Sequence, residues 1–418
     1  MEKVLVIGSG GREHAIVDAL KRSDEVSKVY CAPGNAGIAK IAECLPIAET
    51  DVEALCKFAY DKDLSLTVVG PEVALAAGVV DRFKKAGLRI FGPTQAAAQI
   101  ESSKEFAKEL MKKYDIPTAA FETFEDYDAA VEYVRKGSLP AVLKYDGLAA
   151  GKGVVIAETI EEAEAALKEM LLDDKFGKGK VVIEDFLEGP EFSFMCFADG
   201  ENLYPMALSQ DHKRAYDGDK GPNTGGMGAY SPVPMITAED EAYAMEKIML
   251  PTAKAMIAEG ARFTGVLYGG LIKTANGIKV IEFNARFGDP ETEVVLPRLK
   301  SDIYEIFCNV ADGKKAKVEW HDFATLGVVL ASKGYPAEYE KGIVIKGLEK
   351  ISSTAKLYHM GTAKNERGEI VTNGGRVLFV VGKGATLEEA QKNANEEVAK
   401  IECEGLFSRT DIGHKAIK

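Results

Sequence analysis

Lys279-Val280-Ile281-Glu282-Phe283-Asn284-Ala285-Arg286-Phe287-Gly288-Asp289-Pro290-Glu291 sets polar side chains into a stretch that otherwise reads as a buried strand. Side chains alternate along a strand, so Glu282, Asn284 and Arg286 share one face while Ile281, Phe283 and Ala285 take the other. A carboxylate beside an amide oxygen suits a hard divalent cation such as Mg²⁺, which prefers oxygen ligands and completes its shell with water and phosphate. An arginine two residues on can neutralise charge on a phosphoryl group in transfer. A strand whose polar face simply meets water would look the same, so the rest of the chain has to decide.

Upstream, Ser209 to Pro232 is long, polar and glycine-rich, with Asp211-His212-Lys213-Arg214 near its start and Gly221-Pro222-Asn223-Thr224-Gly225-Gly226-Met227-Gly228 near its end. It reads as a structureless loop, and loops of that length inside a compact domain are usually functional or disordered. The acid, histidine and two bases in a row favour a substrate loop over a linker. His212 is a candidate general base with no visible partner.

Further upstream, Leu139-Pro140-Ala141-Val142-Leu143-Lys144 ends an apolar strand in a lysine, and Asp146-Gly147-Leu148-Ala149-Ala150-Gly151-Lys152-Gly153 follows before Val154-Val155-Ile156. A hairpin with a glycine-bearing tip can close over a triphosphate, Lys144 and Lys152 meeting its oxygens. It lacks the G-x-x-x-x-G-K-[ST] spacing of a P-loop. Lys180-Val181-Val182-Ile183-Glu184-Asp185-Phe186-Leu187-Glu188-Gly189-Pro190-Glu191 is a strand whose end can offer backbone groups to an adenine edge, with Glu191 placed for a ribose. An acidic turn between strands would look alike.

At the amino terminus, Val4-Leu5-Val6-Ile7 is the continuous apolar run of a parallel strand buried on both faces. It enters Gly8-Ser9-Gly10-Gly11-Arg12-Glu13-His14 and then a helix, which together make an anion site. A dinucleotide fold fits poorly: Glu13 stands where the third glycine of G-x-G-x-x-G belongs, and the second strand, Lys28-Val29-Tyr30, runs into Cys31-Ala32-Pro33-Gly34 instead of an acidic residue. The loops Pro33 to Gly37 and Gly70-Pro71-Glu72 follow strands of the same domain and should converge on the first loop. Ser102-Ser103-Lys104 opens the next helix, with Glu101 or Ser102 as its cap.

The carboxyl-terminal part reads as a small α+β unit, with strands at Thr325 to Ala331, Lys356 to His359 and Arg376 to Gly382. A helix follows from Leu387, with Thr386 and Glu389 spaced as a capping box. Nothing in it looks catalytic from the residues alone. Arg298 is expected to join this unit's face to the substrate pocket.

With 418 residues, the chain should hold several domains at about 100–200 residues each. A hydrophobic share of 46% and a charged share of 28% are those of a soluble globular protein. A net charge of −13 argues against nucleic-acid or anionic-membrane partners, which need basic patches. No apolar run approaches the roughly 20 residues of a spanning helix, and Met1-Glu2-Lys3 is not the basic region of a signal peptide. The six cysteines contain no C-x-x-C pair, so neither zinc nor a disulfide framework is indicated and a reducing cytoplasm is expected.

These motifs together resemble the ATP-grasp ligases, and among them the phosphoribosylamine–glycine ligase (glycinamide ribonucleotide synthetase) family. The resemblance runs from end to end. It rests on Gly8 to His14, Pro33 to Gly37 and Lys144 to Gly153, and most specifically on Asp211 to Arg214 with Gly221 to Gly228, and on Glu282 to Glu291. Arg409-Thr410-Asp411-Ile412-Gly413 resembles the family's terminal signature.

The resemblance implies a doubly wound amino-terminal domain over residues 1–102 and an ATP-grasp domain over 103–322, with a mobile lid subdomain at about 118–190 within it. A small α+β domain over 323–418 would follow. It implies ATP binding through Lys104, Lys144, Gly151, Lys152, Glu184, Phe186, Leu187 and Glu191, and Mg²⁺ or Mn²⁺ on Glu282 and Asn284. Arg286, Asp211 and Lys213 would be catalytic. Gly10, Gly11, Arg12, Asn35, Gly37, Gly70, Pro71, Glu72 and Asp289 would hold 5-phosphoribosylamine. The neighbouring strand, Val266 to Leu271, offers no further carboxylate for a metal, so a second ion would rest on phosphates and water. The implied reaction activates glycine as an acyl phosphate and passes it to the amine in purine biosynthesis, carried out by a monomer. The rivals are another ATP-grasp carboxylate–amine ligase, a nicotinamide-dependent oxidoreductase, and a nucleotide-binding protein without turnover.

Overall fold

The computed structural model describes residues 1–147, 153–173 and 177–417. Val4 to Ile7 is fully buried at the centre of a five-stranded parallel sheet. Its strand, Glu2–Gly8, lies between Val26–Pro33 and Leu66–Val69, with the short strands Glu43–Cys44 and Ile90–Phe91 at the edges. Helices Gly11–Leu20, Val52–Asp61 and Val79–Lys85 connect the strands, which is why the central strand carries no polar face. The carboxyl ends at Gly8, Pro33 and Val69 therefore sit side by side, where open α/β sheets hold ligands.

Two helices, Gln95–Ser102 and Lys104–Lys113, lead onward. The expected cap at Glu101 or Ser102 is corrected: both residues close the first helix, and Ser103 caps the second, its Oγ accepting the Phe106 amide at 3.1 Å. Ser103 is the residue that leaves helical geometry, with φ −126° and ψ 111°, as an N-cap must.

Strands Phe121–Phe124, Val181–Asp185, Ala141–Tyr145 and Val154–Ala157 form an antiparallel sheet covered by helices Tyr127–Lys136 and Ile160–Leu171. Leu143, Leu167, Ile183 and Val134 make a core of their own there, separate from the main one. A second antiparallel sheet runs Leu203–Pro205, Glu191–Asp199, Thr264–Thr274, Gly277–Asn284. Lys279 to Asn284 lies on its edge strand, which ends at Asn284, so Ala285 to Pro290 leave the sheet.

The segment from Ser209 to Pro232 is not a structureless loop. It contains strands Gln210–Asp211, Arg214–Tyr216, Lys220–Asn223 and Gly228–Ser231. The middle two form a hairpin whose turn puts Gly218 and Asp219 at φ 71° and 53°, the left-handed pair that favours Gly and Asp at hairpin tips. The last strand pairs with Ala324–Ser332, so the glycine content reflects close strand packing as well as turns: a Cβ on Gly228 would lie 2.7 Å from the Gly327 carbonyl oxygen.

Ala324–Ser332 in turn pairs with Arg376–Gly384, and that strand with Lys356–His359. Helix Leu387–Val398 packs on this sheet. Thr386 caps it through the Glu389 amide, but the Glu389 carboxylate reaches back to the Ala385 amide instead of that of Thr386, so only half of the expected capping box forms. Arg298 is corrected as well: it is buried, with its guanidinium on Ser231 Oγ and the His321 carbonyl, away from the cleft described below. Among the described residues, no helix is long and apolar enough to cross a membrane.

Candidate active site

A cleft of about 360 Å³ opens between the two antiparallel sheets, with the amino-terminal sheet's loops at one end. Glu282, Asn284 and Arg286 all line it: Glu282 and Asn284 share one face of the strand Gly277–Asn284, whereas Arg286 lies beyond the strand's end and is held toward the cleft by Glu101 and Glu72. Burial alone would raise the Glu282 pKa, but Lys144, Lys213, Lys104 and Arg286 outweigh it and lower it, so the carboxylate is ionised. Among the described residues no group donates a hydrogen bond to it, and Asn284 Oδ1 accepts one weak bond from Arg286 at 3.3 Å. An ionised carboxylate without donors beside an amide oxygen is a donor set that fits a hard cation. Among the described residues no group of three or more His, Cys, Asp or Glu side chains is arranged to hold a metal.

Arg286 bridges two units of the fold. Its Nη2 lies 2.9 Å from Glu101 Oε1 and its Nε 3.4 Å from Glu72 Oε2, while Glu101 Oε2 accepts the Ala285 amide at 2.7 Å. Burial opposes the guanidinium charge, yet Glu101 and Glu72 raise its pKa. The arginine is thus oriented before any ligand enters, which removes reorganisation from the reacting state.

On the facing sheet, Glu184 sits between two lysines, Oε1 2.9 Å from Lys144 and Oε2 2.7 Å from Lys108. Lys144 also donates to the Ile281 carbonyl at 2.9 Å, and Lys108 to Thr118 Oγ1 at 2.7 Å. All three side chains are almost wholly buried, and burial brings Lys108 down to about 8. Buried charge survives here because each ion is paired and both ammonium groups also donate hydrogen bonds, although Glu184 Oε1 accepts none. Lys104 differs: its ammonium donates to the Gly147 carbonyl at 3.0 Å, and among the described residues no carboxylate is within ion-pair distance. It is the lysine of this group most available to an anionic ligand.

Asp211 and Lys213 line the cleft 3.3 Å from each other, and Lys213 also meets Glu191 at 3.3 Å. Behind them Tyr268 Oη donates to Glu291 at 2.5 Å and Ser193 Oγ to the same oxygen at 3.1 Å. His212 does not line the cleft, and its ring is fully buried on the opposite side.

Of the residues expected at a sugar-phosphate site, Arg12, Glu72 and Asp289 line the cleft, whereas Gly10, Gly11, Asn35, Gly37, Gly70 and Pro71 do not. The Gly10 amide donates to Glu13 Oε2 at 2.6 Å, so the helix start is partly satisfied by the chain's own carboxylate. Gly70 makes room for that carboxylate, since a Cβ there would lie 2.0 Å from Glu13 Oε1, and Gly37 makes room for the His359 ring, 2.2 Å away. Asn35 holds the Ser9 and His359 carbonyls and accepts the Gly37 and Ile38 amides. Phe186, Leu187 and Glu191 do not line the cleft, although Glu191 meets the lining residue Lys213, and Gly151 and Lys152 fall outside the described residues.

Sequence reasoning missed Lys108, Glu101 as an ion-pair partner, and Arg376. Lys108 is four residues after Lys104 on one helix, a spacing that puts both on one face and was there to be read. Arg376, from the unit in which nothing looked catalytic, reaches the cleft and contacts Asp289 Oδ1 at 3.1 Å and the Gly225 carbonyl at 2.7 Å. Only the packing of that unit against the rest brings it there.

Residues 2–101 match the family model of the phosphoribosylglycinamide synthetase N domain, 102–292 that of its ATP-grasp (A) domain, and 325–415 that of its C domain. The chain belongs to the phosphoribosylglycinamide synthetase family. A phosphoribosylamine–glycine ligase of Halalkalibacterium halodurans is 55% identical over 416 residues, covering 99% of this chain and 97% of that one. One of Listeria innocua is 54% identical over 417 residues, covering 99% of each. The crystal structure of a phosphoribosylamine–glycine ligase from Thermotoga maritima superposes with a TM-score of 0.85 at 35% identity, covering 98% of this chain and all of that one. A biotin carboxylase domain from Hydrogenobacter thermophilus shares the fold, at TM-score 0.76 and 16% identity over 97% of this chain and 91% of that one. As a member of this family the chain is a ligase of ATP-grasp architecture, and the expected α/β and α+β fold class holds.

Proposed function

We propose that the chain joins glycine to 5-phosphoribosylamine with ATP, through glycyl phosphate, giving glycinamide ribonucleotide, ADP and phosphate. The observation that carries this reading is the single wall of Glu282, Asn284 and Arg286 facing Lys104 and Lys144 across the cleft, in a chain 55% identical to a ligase of that name.

A carboxylate is a poor acyl donor, so activation splits one hard step into two easier ones. Lys104 and Lys144 hold the triphosphate, and Glu184 with Phe186, Leu187 and Glu191 serves the nucleoside end. Glu282 and Asn284 would hold Mg²⁺ or Mn²⁺, which when bound supplies charge neutralisation on the phosphates. Arg286, fixed by Glu101 and Glu72, stabilises the phosphoryl group as it passes to the glycine carboxylate oxygen and the bond to ADP breaks. Asp211 and Lys213 orient the reacting glycine. Arg12, Glu72 and Asp289 orient phosphoribosylamine, whose nitrogen bonds to the acyl carbon as phosphate leaves and a proton is released. The glycine loops around Gly10, Gly11, Asn35, Gly37, Gly70 and Pro71 shape that end. The tip with Gly151 and Lys152 would close over the phosphates and keep water from the acyl phosphate.

The division at residues 1–102, 103–322 and 323–418, with a lid at about 118–190, follows from the same reading. The six unpaired thiols support a reducing, cytoplasmic setting, and the enzyme is taken as a monomer.

The test is release of ADP and phosphate with ATP and Mg²⁺, with and without glycine and with phosphoribosylamine generated in place. Release that needs both co-substrates, with a product of glycinamide ribonucleotide mass, is expected. A requirement for a different acid or amine would leave ATP-grasp chemistry standing and remove the substrate assignment.

A further inference from the structure

Asp211 and Lys213 face the cleft, and the residue between them faces away. His212 Nε2 accepts the Gly413 amide at 2.9 Å. A nitrogen that accepts an N–H carries no proton, so the neutral ring has its proton on Nδ1, 3.8 Å from Asp219 Oδ1. The rings of Tyr230 and His414 pack on it at 5.9 and 5.2 Å.

Gly413 belongs to a tail that clasps the whole segment. Arg409, fully buried, pairs with Asp411 at 2.8 Å and with Asp219 at 3.0 Å, and donates to the Arg214 carbonyl at 3.0 Å. Asp217 accepts the Thr410 amide at 2.9 Å and its hydroxyl at 2.6 Å, while Asp411 accepts the Gly218 amide at 2.8 Å. Gly413 sits at φ +92°, and a Cβ there would lie 2.6 Å from Leu326 Cδ1, so the tail can present its amide to His212 only through a glycine.

The strand that carries Asp211 has two residues, and its backbone pairing runs on through the His212 amide to the Gly228 carbonyl at 2.9 Å and the Met227 amide to the His212 carbonyl at 2.7 Å. This ladder sets the backbone register, and the His212 ring adds the side-chain tie that anchors it to the tail. The geometry points to His212, held by the Arg409–Gly413 tail, as the positioning residue that fixes Asp211 and Lys213 in the cleft. This rests on the reading of the cleft given under the proposed function. The chemistry is carried by the neighbours, and His212 acts through them as a hydrogen-bond acceptor for the tail.

The test compares wild type, His212→Gln and His212→Leu in the full chain with ATP, Mg²⁺, glycine and phosphoribosylamine. A glutamine carbonyl can take the place of Nε2 and accept the Gly413 amide, whereas leucine cannot. The expected result is a fall in kcat of about 100-fold for leucine with KM for ATP nearly unchanged, and recovery to within about 5-fold for glutamine, the scale on which small misplacements act. Glutamine as damaging as leucine would show that accepting the Gly413 amide is not what His212 contributes and overturn the inference, as would leucine with unaltered kcat. If the leucine variant does not fold, Thr410→Val, which removes only the hydroxyl link to Asp217, is expected to lower kcat with KM for ATP unchanged; an unchanged kcat overturns the role of the tail. Hydrogen exchange over 209–230 reads the clasp without turnover: faster exchange in the leucine than in the glutamine variant is expected, and equal exchange overturns it. A wild type that exchanges as expected but does not use glycine and phosphoribosylamine would count against the substrate reading alone.

Discussion

Arg286 Nη2 rests 2.9 Å from Glu101 Oε1, across 185 positions of sequence, and the other oxygen of Glu101 accepts the amide of Ala285 beside it. One carboxylate thus sets both the backbone and the guanidinium of the residue proposed to meet the transferring phosphoryl group. Arg286→Ala is expected to lower kcat by about 10²–10³-fold, the usual loss when one preorganised charge donor is removed, with little change in ATP affinity. Steady-state kinetics beside nucleotide titration checks this, and unchanged turnover would remove Arg286 from the catalytic set.

Glu282 is expected to govern metal-dependent nucleotide binding. Its ionised carboxylate lies among Lys144, Lys213, Lys104 and Arg286. Glu282→Ala should weaken ATP binding in the presence of Mg²⁺ by about 10-fold or more and leave metal-free binding nearly unaltered or tighter, since removing a negative charge favours a free triphosphate. Calorimetry with and without Mg²⁺ separates the two cases; equal loss in both would mean that Glu282 does not act through a metal.

The Lys108–Glu184–Lys144 group is expected to dominate the stability of the sheet that covers the cleft. Glu184→Gln strands two buried ammonium groups, for a loss of about 3–5 kcal/mol, whereas Lys108→Met keeps the Lys144 pair and should cost less. Urea unfolding of the ligand-free protein gives the order. A larger loss for Lys108→Met would show that the carboxylate is held chiefly by Lys108.

The buried pair His14 and His359 predicts acid sensitivity. The His359 amide donates to His14 Nδ1 at 2.8 Å, and burial lowers the two rings from 6.5 to about 4 and about 3. The unfolded chain binds more protons between those values and 6.5, so the stability contributed by the neutral rings is complete above pH 6.5 and is lost as pH falls toward 4 and then 3. The expected loss between neutral pH and pH 5 is about 2 kcal/mol per ring. Unfolding midpoints across that range should fall less steeply in His14→Gln; an identical slope would exclude His14 as a source.

Much of the fold was legible because its signals are local. The apolar run Val4 to Ile7 became a central parallel strand, and strand alternation put Glu282 and Asn284 on the cleft wall, while Arg286, past the strand's end at Asn284, reaches it through its ion pairs. Ser209 to Pro232 misled because glycine marks both loops and strands under close approach, and only pairing with Ala324–Ser332 shows which. The capping serine was displaced by one or two residues because Glu101, Ser102 and Ser103 all suit a helix boundary. Glu101 read only as a cap, since nothing local ties a carboxylate to an arginine so distant.

The sequence by itself determined many of the strands and helices, those within Ser209 to Pro232 excepted, and the polar face at Glu282 and Asn284, since periods of about 2 and 3.6 residues are written into neighbouring positions. Tertiary structure alone decided what those faces meet: Lys144 on the Ile281 carbonyl, Arg12 on the Phe287 carbonyl, Arg376 on Asp289 and His212 on Gly413. Those contacts join residues brought together by sheets packing on one another. Packing is set by the summed shape and burial of whole surfaces, which no single stretch of sequence carries.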